Sequence, residues 1–166
     1  MYMVVHAAVG AAAGQAVEHV SVAFVLGVVS HFFLDMIPHG DENLYQAYIG
    51  GKGLKKGLLH VGFDVLATIV FCTAIYLNRE VFVAPNVVFW GVVGGLIPDF
   101  LVALSGIFRP RRKRGLVWRL DRYNAFHRWN HSLLMRKWRC FRKDVPYVFG
   151  AAYQAVILVI LAKMIL

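Results

Sequence analysis

The strongest constraint on this chain is its series of long apolar runs. Residues 55–78, 86–105 and 145–166 each approach the roughly 20 residues that a helix needs to cross a bilayer. Two more apolar stretches, 3–17 and 20–37, fill the N-terminal region and are broken only near Glu18 and His19. Hydrophobic residues make up 59% of the 166 residues and charged residues 16%, against about 45–50% and 25% in soluble domains. The mean hydropathy is +0.59. These values exclude a disordered chain, a collagen-like chain and an ordinary soluble enzyme. Cys72 and Cys140 lie far apart with no CxxC spacing, so neither a disulfide framework nor a zinc finger is expected.

The stretch 3–17 is rich in Ala and Gly and short for a full span. Its Gly10 and Gly14 have the GxxxG spacing that lets helices approach closely, which predicts a tight hairpin with 20–37. No basic segment precedes it, so a cleaved signal peptide is not expected. Residues 38–54, PHGDENLYQAYIGGKGL, read as a polar loop. Asn78, Arg79 and Glu80 end the helix at 55–78, and Pro98 should kink or end the one at 86–105. Residues 121–139 read as a polar amphipathic helix. The expected fold is all-α: an integral membrane helical bundle with four or five membrane helices plus a cytoplasmic amphipathic helix. It forms one domain over 1–166, with a basic cytoplasmic segment at 106–144.

The chain carries 18 Lys and Arg against 9 Asp and Glu, a net charge of +9. Thirteen of the basic residues lie between Arg109 and Lys143, and Lys52, Lys55 and Lys56 lie in or beside the loop after the second helix. Alternating helices put both clusters on one side, which the positive-inside rule makes cytoplasmic. The expected location is therefore the inner (cytoplasmic) membrane, with the N-terminus inside. The run RPRRKR at 109–114 reads as an orientation signal and a patch for anionic lipid. Trp118, Trp129 and Trp138 read as interfacial anchors. Sequence-specific nucleic-acid binding is not expected.

Ionisable residues in membrane helices are costly and usually mark function. Here they are patterned: His31 and Asp35, His60 and Asp64, and His127 and His131 are each four apart. That spacing puts both side chains on one helical face, as in helices that present two ligands to a metal. With the alternating topology, these six residues, His6 and Asp99 all fall at one membrane level. A shared cation would offset the cost of burying them. The expected metal set is His6, His31, Asp35, His60, Asp64, Asp99, His127 and His131. Ligands without thiolate suit zinc, manganese or iron, and eight of them suit one to three ions, with two favoured for phosphoester hydrolysis. Asp64 and Asp99 are the candidate catalytic carboxylates, and Arg128 is the candidate phosphate-holding group.

Each assignment has a plainer alternative. The His/Asp pairs could be hydrogen bonds that pack helices, His127 and His131 a solvated face, Asp99 a helix cap, and His6 an interfacial histidine. His39 and Asp41 read as loop residues rather than ligands.

The segments SHFFLDMIPHGD, GGLIPDF and FHRWNHSL together resemble the inner-membrane metal-dependent hydrolases, a family of LexA-binding, inner membrane-associated hydrolases. The matching residues are Ser30, His31, Asp35, Pro38 and Gly40, then Pro98 and Asp99, then His127, Arg128, His131 and Ser132. The SHxxxD motif stands first here rather than last, Phe100 and Leu101 follow Asp99 in place of Asp–His, and Asn130 replaces a Thr. The resemblance implies an integral membrane protein with a divalent-metal hydrolase centre. The HxxxD spacing is also similar to that of zinc-dependent phospholipase C enzymes, which implies a phosphodiester at a membrane surface. The expected function is metal-dependent hydrolysis of a phospholipid or other phosphoester. The alternatives are a non-enzymatic metal-binding or transport protein and a DNA-anchoring protein.

Overall fold

The computed structural model describes residues 1–40, 54–107, 115–138 and 144–165. Asp41, the rest of the polar loop, RPRRKR and Cys140 lie outside the described residues. The described residues form α1 (Met3–Gln15), α2 (Val20–Asp35), α3 (Leu54–Leu77), a 3-10 turn (Arg79–Val81), α4 (Pro85–Ile107), α5 (Gly115–His131), α6 (Leu133–Lys137) and α7 (Tyr147–Ile165). No strand occurs among them.

Helices α1, α2 and α4 pack mutually at the centre. α3 and α7 flank α1, and α5 lies against α4 and α2. Small residues make the central contacts possible. A Cβ on Gly10 would meet the Gly91 carbonyl, and one on Gly91 would meet the Gly10 carbonyl. Gly14 meets the backbone of Val88, and Gly27 and Gly94 bring α2 equally close to α4. The Gly10–Gly14 pair thus serves α4 rather than the expected hairpin face, although α1 and α2 do pack together. Such backbone approach gains dispersion and weak Cα–H···O contacts that any side chain would block. Gly91→Ala is therefore expected to lower stability by about 1–3 kcal/mol, as overpacking does. Thermal unfolding in detergent checks this, and an unchanged melting temperature would show that the helices separate without cost.

α1 and α4 run antiparallel, because Gly10 meets Gly91 while Gly14 meets Val88. Hydrogen bonds tie the start of α1 to α3, to α7 and to the end of α2. Tyr2 N–H donates to Gln154 at 2.7 Å, Met3 N–H to Asp64 at 2.8 Å, and the Met1 nitrogen to Asp35 at 2.8 Å. At the far end Gln15 Nε2 donates to the Ile165 carbonyl at 3.5 Å.

Among the described residues, three helical segments are long and apolar enough to cross a membrane: Lys55–Leu77, Pro85–Gly106 and Tyr147–Ile165. α1 and α2, at 13 and 16 residues, are shorter. The large apolar side chains Leu59, Phe63 and Val70 of α3 and Val148, Phe149 and Ile160 of α7 point outward, as in a bundle solvated by lipid.

Two local expectations need correction. Pro98 does not end its helix, since α4 continues to Ile107. The neighbouring helices supply the packing that tolerates a missing backbone donor in such a segment. The polar helix begins at Gly115, before the expected 121, and breaks at Ser132. Its face carrying His127 and Asn130 is buried, so it is not a solvated face. Asn130 Nδ2 donates to the Phe32 carbonyl at 2.8 Å, and Asn124 Nδ2 to Ser105 at 3.1 Å.

Candidate metal centre

Four residues from three helices converge at one end of the core. His31 and Asp35 come from the last turns of α2, Asp99 from α4 just after Pro98, and His127 from α5. One ligand atom from each lies within 4.8 Å of all the others. His31 Nε2 is 3.0 Å from His127 Nε2, 3.3 Å from Asp35 Oδ2 and 3.7 Å from Asp99 Oδ1. His127 Nε2 is 3.1 Å from Asp35 Oδ2 and 3.5 Å from Asp99 Oδ1. Four ligands at about 2.0–2.1 Å from a tetrahedral ion lie about 3.3–3.4 Å from one another. The observed spacings bracket that value.

The chemistry of the donors fits a cation as well. His31 Nδ1 faces the Gly95 carbonyl at 2.8 Å. A carbonyl only accepts, so Nδ1 carries a proton and Nε2 is the ring nitrogen turned to the group. This is the usual outer-shell arrangement of a metal-binding histidine.

Asp35 is held from behind. His6 Nε2–H donates to its Oδ1 at 3.0 Å, and the Met1 nitrogen does so at 2.8 Å. This leaves Oδ2 to face the two histidines. The His6 ring stacks on His31 at 3.9 Å between centroids. Its Nδ1 is buried with no hydrogen-bond partner, at a general cost of about 1–3 kcal/mol. His6 is thus a positioning residue for the carboxylate rather than a member of the group. Asp35 is 2% exposed and Asp99 24%, so the centre opens to its surroundings on the Asp99 side. Tyr123 stands beside it, its ring 6.4 Å from that of His127. Burial first, then the carboxylates of Asp99 and Asp35, push its phenol above the usual range. Tyr123 therefore stays a neutral hydroxyl near the centre.

The other expected ligands lie elsewhere. Asp64 accepts the N–H groups of Met3 at 2.8 Å and Val4 at 3.2 Å. It therefore caps α1 from a neighbouring helix, satisfying donors that a helix start leaves open and adding negative charge where the dipole favours it. His60 Nδ1 meets the Tyr147 hydroxyl at 3.1 Å, and its ring lies 5.0 Å from that of Tyr2. His131 turns away from His127 and meets His39, with 3.1 Å between their Nε2 atoms. Arg128 is exposed on α5 next to His127. His39, expected as a loop residue, does lie outside the helices but is buried. The signal for it was its place in PHG: a Pro before and a Gly after mark a fixed turn rather than a loose one.

Asp64→Ala is expected to cost about 0.5–2 kcal/mol of stability, the range for a lost cap, and to leave metal content unchanged. Metal analysis beside a thermal melt checks this. Lost metal in a folded variant would return Asp64 to the ligand set.

Comparisons with protein-family models, curated proteins and solved structures return no match to this chain.

Proposed function

We infer that this chain is a membrane-embedded metal-dependent hydrolase. One observation carries this reading: His31, Asp35, Asp99 and His127, from three different helices, bring four ligand atoms within 4.8 Å. Two imidazoles and two carboxylates this close together are a donor set that a shared divalent cation would satisfy. Zinc, manganese or iron suits the imidazole and carboxylate donors. A bound divalent ion lowers the pKa of a coordinated water to about 7 and polarises a phosphoryl oxygen.

The residues divide the remaining work. His31, His127 and Asp35 hold the cation, and His6 keeps Asp35 Oδ2 turned toward it. Asp99, the most exposed of the four, is the carboxylate placed to move a proton between the centre and a substrate. Arg128, exposed and next to His127 in the chain, is the group proposed to hold a phosphate. A phospholipid or other phosphoester is the favoured substrate. Phe126 stacks on Trp129 with 6.0 Å between ring centroids, and Arg136 lies 5.5 Å over the Trp129 ring. The helix carrying His127 thus carries an exposed aromatic and basic surface suited to the lipid interface and to anionic lipid. The basic clustering favours an inner-membrane location with this end, and the N-terminus, on the cytoplasmic side.

A second reading has its own support. Four protein ligands close a tetrahedral zinc, which is the pattern of non-catalytic sites, whereas manganese or iron with more ligands keeps open positions. Under that reading the chain binds metal without turnover. Purified protein stripped with chelator, then reloaded with zinc, manganese or iron, should hydrolyse phosphodiester and phospholipid substrates only when loaded. Stoichiometric metal with no turnover on any such substrate would favour the second reading.

A further inference from the structure

Two asparagines fix α5 against its neighbours. Asn124 Nδ2 donates to Ser105 of α4 at 3.1 Å, and Asn130 Nδ2 to the Phe32 carbonyl of α2 at 2.8 Å. Tyr123 and His127 lie four apart on the same helix, and so on one face of it. His127 is buried in the four-residue group, and its ring lies 6.4 Å from that of Tyr123, tilted by 46°. Tyr123 is half-buried. It therefore stands one turn from a candidate ligand, on a helix held at two points, which is the support that a precise site requires.

Its hydroxyl is not spent on the fold. The hydroxyls of Tyr2 and Tyr147 pair with each other at 2.8 Å, and that of Tyr153 donates to the Pro38 carbonyl at 2.9 Å. The Tyr123 hydroxyl has no hydrogen-bond partner among the described residues. Neither carboxylate of the group accepts from it, yet both act on it: burial first, then the charges of Asp99 and Asp35, keep its proton on. A half-buried phenol that keeps its proton is an O–H donor left for a ligand. The centre opens on the side of Asp99, which is 24% exposed.

We propose that the Tyr123 hydroxyl donates a hydrogen bond to an oxygen of a phosphoryl group held at this centre. This rests on reading the four-residue group as the metal centre of a phosphoester hydrolase. Negative charge builds on the phosphoryl oxygens during hydrolysis, and a fixed donor aimed at that charge stabilises it. The hydroxyl keeps its proton throughout, and no bond to Tyr123 forms or breaks. The phosphoryl group belongs to a lipid headgroup or to a soluble phosphoester, and the same donor serves both.

The test loads stripped, detergent-purified full-length protein with zinc, removes the excess and titrates inorganic phosphate by calorimetry. Tyr123→Phe removes the hydroxyl and keeps the ring. It should bind as much zinc as wild type and keep its helical content by circular dichroism. It should bind phosphate about 10–100-fold more weakly, the usual size of a hydrogen bond to a charged group. Equal phosphate affinity in the two proteins, or no phosphate binding by zinc-loaded wild type, would overturn the proposal and leave the metal centre standing. The same titration with phosphatidylglycerol in mixed micelles and with glycerol phosphate separates the two sources. The ligand whose affinity Tyr123→Phe lowers is the one the hydroxyl serves, and unchanged affinity for both would overturn the proposal. Weaker phosphate binding by Tyr123→Phe, in a protein without phosphodiester turnover, would overturn the hydrolase reading and keep the donor. No zinc in wild type would overturn both.

Discussion

Asp35→Asn is expected to abolish stoichiometric metal binding and metal-dependent turnover, and also to weaken the fold. Asp35 is the residue on which most of the site converges: His6, His31, His127 and the Met1 nitrogen all reach its carboxylate. Changing only the partner that orients a ligand typically costs 10–100-fold in metal affinity. Removing this ligand's charge should cost at least about 100-fold by the same measure. The carboxylate is 2% exposed, so its loss also breaks a buried charge network, at about 3–5 kcal/mol. Metal titration and thermal unfolding on one preparation check both parts. Wild-type metal affinity in the variant would mean that the carboxylate only ties helices together.

Asp99→Asn is expected to separate chemistry from folding. Its side chain is 24% exposed and reaches the two histidines at 3.5 and 3.7 Å. It therefore contributes little to packing, and the variant should stay within about 1 kcal/mol of wild type, as for a partly solvated charge. Turnover should fall by about 10²–10⁴-fold, the usual size of a general acid–base contribution. The assay is steady-state hydrolysis at saturating metal, beside a melting curve. A variant that loses stability but keeps its rate would assign Asp99 to structure instead.

The contrast between these carboxylates and Asp64 shows what local sequence can reveal. His31/Asp35 and His60/Asp64 have the same spacing, and both pairs do lie along one helix. Spacing determines which side chains share a face, not what that face meets. α2 meets α4 through Gly27, Gly91 and Gly94, which brings His31 and Asp35 to Asp99. α3 instead meets the start of α1, so Asp64 becomes a cap. That partner lies 61 residues away and leaves no local trace.

The same limit explains His127 and His131. Their common face was legible, but the helix ends at His131, and the two rings go to different partners. Asp99 was legible because a Pro–Asp step in an apolar run is unusual chemistry. At Pro98 the sequence left a kink or a helix end open, and the helix runs on to Ile107, because helix packing, not propensity, decides it. The role of His6 behind Asp35 depends on the register of α1 against α2, which is set by tertiary contacts. Alternation predicts one level for the candidate ligands, and the start of α1 does bond Asp35, Asp64 and Gln154 on three different helices.

The most direct test of the central claim is the metal content of detergent-purified protein by elemental mass spectrometry, beside a His31→Gln/His127→Gln double variant. At least one equivalent of zinc, manganese or iron in wild type, and loss of the ion held by this group in the folded double variant, is the predicted result. No stoichiometric metal in wild type after chelator stripping and reloading would contradict the account. It would make the His/Asp group a hydrogen-bonded joint between helices.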